Sequence, residues 1–166
     1  MDSTTARISL KIDRVVIILE FSNDVTGAGA AVAIAEKGSP RHVLLGRAYG
    51  CLMLGVNGTA FMIFGLFGGF GPFHVAAFFS LLTVGAGWLP ARARSSPGWV
   101  ERHAYFMSGS YVGLLAAAAG ETLSRIPATP FWGMVIFATV AVTVVGLTVM
   151  RWRLPAALAA CRRGVS

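Results

Sequence analysis

The chain contains three histidines, His42, His74 and His103, and each lies where an apolar run begins. The three runs cover residues 48–66, 74–90 and 103–124. An imidazole at the end of a membrane helix is either an interfacial polar residue or a ligand or proton carrier of a buried site. Because few other side chains here can do chemistry, we expect any chemistry to involve this trio, Glu121 and a few tyrosines.

The composition is typical of a membrane protein. The chain has 166 residues, of which 55% are hydrophobic and 13% are charged, and its mean hydropathy is +0.69. A soluble domain carries about 25% charged residues, whereas long apolar runs are typical of transmembrane helices. We therefore predict an all-α fold, a polytopic transmembrane helical bundle. The sequence shows no pairing of a nucleophile with a base, which favours a protein that is not an enzyme.

Four spans are predicted from the apolar runs. They are residues 48–66, 74–90, 103–124 and 131–150. Four prolines are predicted to mark helix ends, because proline cannot donate the next helical hydrogen bond. They are Pro72, Pro90, Pro127 and Pro130. Glycines at helical spacing are predicted to let helices approach closely. They are Gly50, Gly55, Gly58, Gly109, Gly113 and Gly120.

The ends of the chain are less regular than this central bundle, which covers residues 37–150. Residues 151–166 are predicted to form a basic cytoplasmic tail. Residues 1–36 are either an amphipathic segment at the membrane surface or a fifth span. Two apolar stretches in that segment, 15–21 and 26–35, are separated by acidic residues, which are costly near the middle of a bilayer.

The basic residues predict the orientation of the bundle. If the four spans alternate, ten basic residues share one side and Arg125 lies on the other. The ten are Lys37, Arg41, Arg47, Arg92, Arg94, Arg102, Arg151, Arg153, Arg162 and Arg163. Since positive residues stay on the cytoplasmic side, this predicts a multi-pass protein of the bacterial inner membrane with a cytoplasmic C-terminus. The expected partners are the lipid bilayer and other membrane subunits or further copies of the chain. Nucleic acid is not expected, because no basic stripe carries interleaved aromatics.

The third span carries its polar residues on one face. Residues on this face recur at steps of three and four, which is the helical period. They are His103, Met107, Ser110, Tyr111, Leu114, Ala118, Glu121 and Arg125. Because polar groups avoid lipid, we expect this stripe to face the other helices, with His103 and Glu121 at opposite ends.

The cytoplasmic end is the candidate cofactor site. His42, just before the helix proper, and His103 lie at one depth, and with Met107 they are the candidate cofactor ligands. Two imidazoles at one depth on facing helices suit a b-type haem, whereas zinc needs three or four ligands. Proton transfer is a further possibility. The structural alternative is that both histidines cap helices and bond to loop carbonyls.

The external end carries a second polar cluster, formed by His74, Glu121 and Arg125. Glu121 and Arg125 are four residues apart, so an ion pair along the helix is sufficient to explain them. The functional alternative is an entrance for protons or substrate, or a clamp on a quinone-like headgroup. No catalytic residue and no complete metal ligand set is assigned. Cys51 and Cys161 have no second thiol near them.

Four stretches of the chain resemble a known family. They are KGSPRHVLLGRAY (37–49), GGFGPFH (68–74), WVERHAYFMSGSYVGLLAAAAGE (99–121) and SRIP (124–127). Together they resemble a bacterial integral-membrane family catalogued as domain of unknown function 2306. Its H-x-x-x-G-R motif falls here on His42, Gly46 and Arg47, its second His after a short turn on His74, and its R-H-x-x-x-M motif on Arg102, His103 and Met107. The resemblance covers about residues 37–127 and implies a multi-helix membrane fold with a shared site or packing scheme, but no reaction.

Three functions are compatible with these features. The favoured one is a structural or accessory membrane protein that packs against other subunits. The first alternative is a small haem-binding or metal-binding redox protein that uses His42 and His103. The second alternative is a transporter of a small or lipophilic substrate, which would need to dimerise because four or five spans are few for that task.

Overall fold

The computed structural model describes residues 24–62, 69–94, 96–127 and 130–163, without the side chains of residues 72, 73 and 161–163. Five helices lie within these ranges. They are α1 (Asp24–Ile34), α2 (Pro40–Phe61), α3 (Pro72–Ala93), α4 (Trp99–Leu123) and α5 (Phe131–Arg163). The predicted all-α fold is confirmed. Residues 15–21, one half of the possible N-terminal span, lie outside the described residues.

Helix α2 begins earlier than the apolar run that predicted it. Ser39 caps the helix by accepting a hydrogen bond from the backbone N–H of His42 at 3.2 Å, and Pro40 occupies the first helical position. Both are strong signals for a helix start. His42 therefore lies in the first turn of α2, and the prediction that placed it just outside the helix is wrong. Hydropathy locates the apolar part of a helix, whereas capping sets its end.

Two prolines lie inside helices. The prediction that Pro90 ends a helix is wrong, because α3 continues to Ala93 and ends at Arg94, whose φ of 50° is left-handed. Pro155 likewise lies inside α5, so most of the predicted tail continues this helix as far as Arg163. Proline removes one backbone hydrogen bond and bends a helix, but one lost bond need not end it.

Two helices are long and apolar enough to cross a membrane. They are His74–Ala93 in α3 and Phe131–Ala160 in α5. In the most apolar part of α3, 22% of the residues are buried inside the bundle, whereas the corresponding share in α5 is only 6%. The other described helices therefore leave most of the α5 surface uncovered.

The core joins the first four helices. Val25 of α1, Tyr49 and Met53 of α2, Val84 of α3 and Leu114 of α4 form one buried cluster. α4 packs against both α3 and α5, and α2 packs against α3. Part of the second apolar stretch of the N-terminal segment, predicted at 26–35, is thus α1, a helix held on the bundle by core contacts.

Close helix approach involves other glycines than most of those predicted. A Cβ on Gly29 would meet the Tyr111 ring, and one on Gly87 would lie 2.9 Å from Sδ of Met107. Gly146 faces Val112 in the same way. Among the predicted glycines, Gly120 lies in ordinary contact with Val135, while a Cβ on Gly50, Gly58 or Gly113 would meet no atom of the described residues within 4 Å.

Candidate functional site

The structure brings His42 and His103 together at one end of the bundle. Their ring centres are 6.3 Å apart, and their planes are nearly perpendicular, at 87°. His42 is presented by the first turn of α2 and His103 by the beginning of α4. The sequence predicted that the two histidines lie at one depth, and this is confirmed. Binding of a cofactor by the pair stays a prediction.

His103 is held in a defined orientation by the backbone of α3. Its Nδ1 lies 2.9 Å from the carbonyl oxygen of Gly87. A carbonyl only accepts hydrogen bonds, so Nδ1 carries the proton. In the neutral ring the lone pair then lies on Nε2. An imidazole whose Nδ1–H donates to a backbone carbonyl, leaving Nε2 open, has the usual arrangement of a histidine metal ligand.

Met107 packs against the residue of α3 that orients His103. Its Cγ and Sδ pack on Gly87, where a Cβ would lie 2.9 Å from each of them. Met107 therefore holds α4 against α3 at the residue whose carbonyl orients His103. Ligation of a cofactor by Met107 stays a prediction.

His42 has a buried nitrogen with an unmet hydrogen-bonding capacity. Among the described residues, no hydrogen-bond partner of its Nδ1 is found, although that atom is shielded from solvent. Burial lowers the pKa of His42, and the nearby Lys37 ammonium lowers it further. A hydrogen bond with the Val32 backbone raises this pKa, and His103 lowers it by a smaller amount. The ring is thus neutral at pH 7. A buried polar atom without a partner is uncommon and calls for an explanation.

The Lys37 ammonium contributes positive charge near the pair. The Lys37 ammonium donates hydrogen bonds to the carbonyls of Val32 at 3.1 Å and Ala33 at 2.7 Å, at the end of α1. In the part of the chain that the structure describes, no group of three or more His, Cys, Asp or Glu side chains converges to hold a metal. The pair cannot supply the three or four ligands of a zinc site by itself.

A second polar pair lies deeper between the same two helices. The Tyr49 and Ser110 hydroxyls are 3.1 Å apart and buried, and they are separated by 61 residues, as His42 and His103 are. Asn57 follows, donating hydrogen bonds to the Met53 carbonyl at 2.7 Å and to the Ser80 hydroxyl at 3.1 Å. Sequence reasoning missed the role of Tyr49. The seven-residue spacing from His42 to Tyr49, matched by that from His103 to Ser110, was the available signal.

His74 lies at the other end of the bundle and has a structural setting. Its side chain is 1% exposed, and its Nδ1 accepts a hydrogen bond from the Gly71 N–H at 3.1 Å. Its ring stacks on Phe70 with centres 4.6 Å apart and also contacts Phe61, the last residue of α2. Because His42 lies in the first turn of that helix, the predicted separation of His74 from the histidine pair is confirmed.

The predicted external cluster contains an ion pair. The Arg125 guanidinium lies 3.0 Å from the Glu121 carboxylate one turn away, and both side chains are substantially exposed. The prediction that Glu121 pairs with Arg125 is confirmed. His74 instead accepts the hydrogen bond from the Gly71 N–H and stacks on Phe70.

Comparisons of the chain with protein-family models, curated proteins and solved structures find no match. The resemblance described from the four sequence stretches therefore stays a prediction.

Proposed function

We propose that this chain is a multi-pass integral membrane protein with a structural or accessory role. The observation that carries the proposal is the apolar surface of α5. Large side chains along this helix are more than a third exposed. They are Phe131, Trp132, Ile136, Phe137, Val140, Val144, Val145, Leu147, Val149 and Trp152. In water such a surface would aggregate, whereas lipid or a second membrane subunit would cover it without penalty.

Helices α2 and α4 are proposed as two further spans. They have 22 and 25 residues, and about 20 are needed to cross the hydrocarbon. Their polar residues are directed inward: Tyr49 pairs with Ser110, and Asn57 bonds to Ser80. Polar groups that satisfy one another inside a bundle are tolerated at membrane depth.

The basic end of the bundle is proposed to lie in the cytoplasm. It contains the start of α2, the α3–α4 connection and the end of α5. Arg92 lies over the Trp88 ring, at 5.8 Å from its centre, and Arg94 lies over the Trp99 ring at 5.6 Å. Arginine and tryptophan side by side favour the interface between membrane and water. Together these features support a bacterial inner-membrane protein with its C-terminus inside.

The accessory role is tested by finding what covers α5. A photo-crosslinking residue replaces Val144 of α5 in cells, and Leu82 of α3, which is similarly exposed, serves as the matched control. We expect a defined protein adduct from Val144, to another subunit or a second copy, and none from Leu82. Crosslinking of both positions to lipid alone would contradict an accessory role and leave α5 as a lipid-facing span.

The second candidate function is a cofactor site at the histidine pair. The observation that favours it is the 6.3 Å separation of two rings from different helices, one of them oriented by a backbone carbonyl. Simple helix capping does not require two imidazoles to meet. An optical spectrum and a metal analysis of the full chain isolated from its native membrane test this candidate, with the His103→Asn variant as the comparison.

A further inference from the structure

We propose that His42 and His103 bind a single soft, monovalent metal ion, copper(I), between their imidazoles. This inference rests on the second candidate function, that the pair is a cofactor site, and it is independent of the accessory role of α5.

The separation of the rings fits one ion. A metal–imidazole bond is about 2.0 Å and a ring nitrogen lies roughly 1.2 Å from the ring centre, so two rings bound in line have centres roughly 6.4 Å apart. A tetrahedral angle at the metal would bring the centres to roughly 5 Å. The observed separation of the ring centres, 6.3 Å, is close to the in-line value and longer than the tetrahedral one. A nearly linear bond to two nitrogen ligands is a geometry that copper(I), a d¹⁰ ion, readily adopts.

The nitrogens of the pair are available for ligation. Nδ1 of His103 donates to Gly87, which leaves its Nε2 as the lone-pair atom. On His42, the buried atom without a hydrogen-bond partner among the described residues is Nδ1. A metal bond would satisfy that atom.

Charge and ligand number select the kind of metal. The Lys37 ammonium acts on His42 and disfavours an ion of high charge. Hard divalent ions need carboxylate and carbonyl oxygens, and zinc needs at least three protein ligands. The described residues bring no such group together. Two imidazole ligands without a third ligand-type side chain among the described residues suit an ion of low charge.

The identity of the open nitrogen on His42 argues against haem. Nδ1 is adjacent to the carbon that joins the ring to Cβ, so a group bound there lies close to the backbone of α2. A small ion is accommodated in that position, but a porphyrin plane would collide with the helix. The side of His103 that faces α3 is likewise filled, by Gly87 and the Met107 side chain packed on it.

The experiment measures copper(I) binding by the purified full chain in detergent, without oxygen, against a chromogenic copper(I) chelator. The variants are His42→Asn and His103→Asn, and His74→Asn is the matched control because asparagine retains an acceptor near the Gly71 N–H. We expect one copper(I) per chain, a loss of affinity of more than about 100-fold in the first two variants, and no change in the control. Loss of an outer-shell partner alone costs about 10- to 100-fold.

X-ray absorption of the copper-loaded wild-type chain keeps the test independent of variant folding. Two nitrogen neighbours at about 2.0 Å and no sulfur neighbour support the site. Binding that survives in His103→Asn, or a sulfur-ligated copper, overturns it. A haem Soret band that depends on His103 overturns this inference but supports the second candidate function. If neither copper nor haem binds the pair, both fail while the role of α5 stands.

Discussion

The two ends of the bundle use histidine in opposite ways. At one end, His74 is almost completely buried, stacks on Phe70 and accepts a hydrogen bond from the Gly71 N–H at its own helix start. At the other end, His42 and His103 are half-buried, come from different helices and meet at 6.3 Å.

This difference shows how a structural histidine is distinguished from a candidate ligand. All three residues occupy the same position in the sequence pattern, at the start of an apolar run. What separates them is the partner of each ring: a neighbouring turn for His74, and a second imidazole on another helix for His42. A histidine that caps its own helix stabilises the fold. A histidine whose ring meets an imidazole from another helix is positioned for binding.

Replacement of His74 should have the largest effect on stability. His74→Ala removes a buried ring, its stacking on Phe70 and the acceptor for the Gly71 N–H, and should cost about 2–4 kcal/mol. His103→Ala, which removes a half-buried ring and one hydrogen bond, should cost about 1 kcal/mol. Thermal unfolding of both variants in the same detergent measures the difference. Equal losses would mean that the two ends do not differ in kind.

A methyl group at Gly87 should destabilise the contact between α3 and α4 beside the histidine pair. Gly87→Ala places a Cβ 2.9 Å from Sδ and 3.1 Å from the backbone nitrogen of Met107, so α3 and α4 must separate. Overpacking of this kind costs about 1–3 kcal/mol. Gly85→Ala is the matched control, since a Cβ there meets no described atom within 4 Å, and it should be neutral or slightly stabilising. The two melting temperatures decide the matter, and a control that melts like Gly87→Ala would refute the close contact.

The pH dependence of stability should report on His42, which precedes the apolar run of α2. Its pKa in the folded chain is lowered, chiefly by burial, from the ordinary histidine value of 6.5. The unfolded chain therefore binds the proton first, so stability should be constant above about pH 6.5 and should fall as the pH drops below it. His42→Asn should flatten this decline relative to the wild type. A stability that instead rises as the pH falls from 6.5 would contradict a buried neutral ring.

The smallest effect is expected at the exposed ion pair. Arg125→Gln breaks the 3.0 Å contact with Glu121 on the surface of α4. Exposed pairs of this kind contribute less than about 1 kcal/mol and are weakened by salt. Unfolding at low and high salt should therefore differ little between the variant and the wild type. A large loss would show that Arg125 also supports the His74 end of the bundle.

The sequence predicted the elements of the fold and the pairing of the histidines, because both depend on regular spacing. Helical rise alone placed His42 near His103 and far from His74. The sequence could not predict which groups each side chain contacts. The carbonyl of Gly87 that orients His103 belongs to a residue with no distinguishing pattern, and the glycines in tight contact were mostly not those at regular spacing. Pro90 was wrongly predicted to end a helix, because the free-energy cost of a proline inside a helix depends on its surroundings.

Histidine-selective ¹⁵N NMR of the full chain, before and after addition of silver(I) as an air-stable substitute for copper(I), tests the contrast between the two ends most directly. It distinguishes the neutral tautomers and shows which rings bind the ion. We expect the proton of His103 on Nδ1 and that of His74 on Nε2, because His103 faces a carbonyl and His74 accepts from an N–H. Silver(I) should shift the resonances of His42 and His103 and leave those of His74 unchanged. A shift confined to His74, or no shift at any histidine, would contradict the assignment of the pair as the metal site.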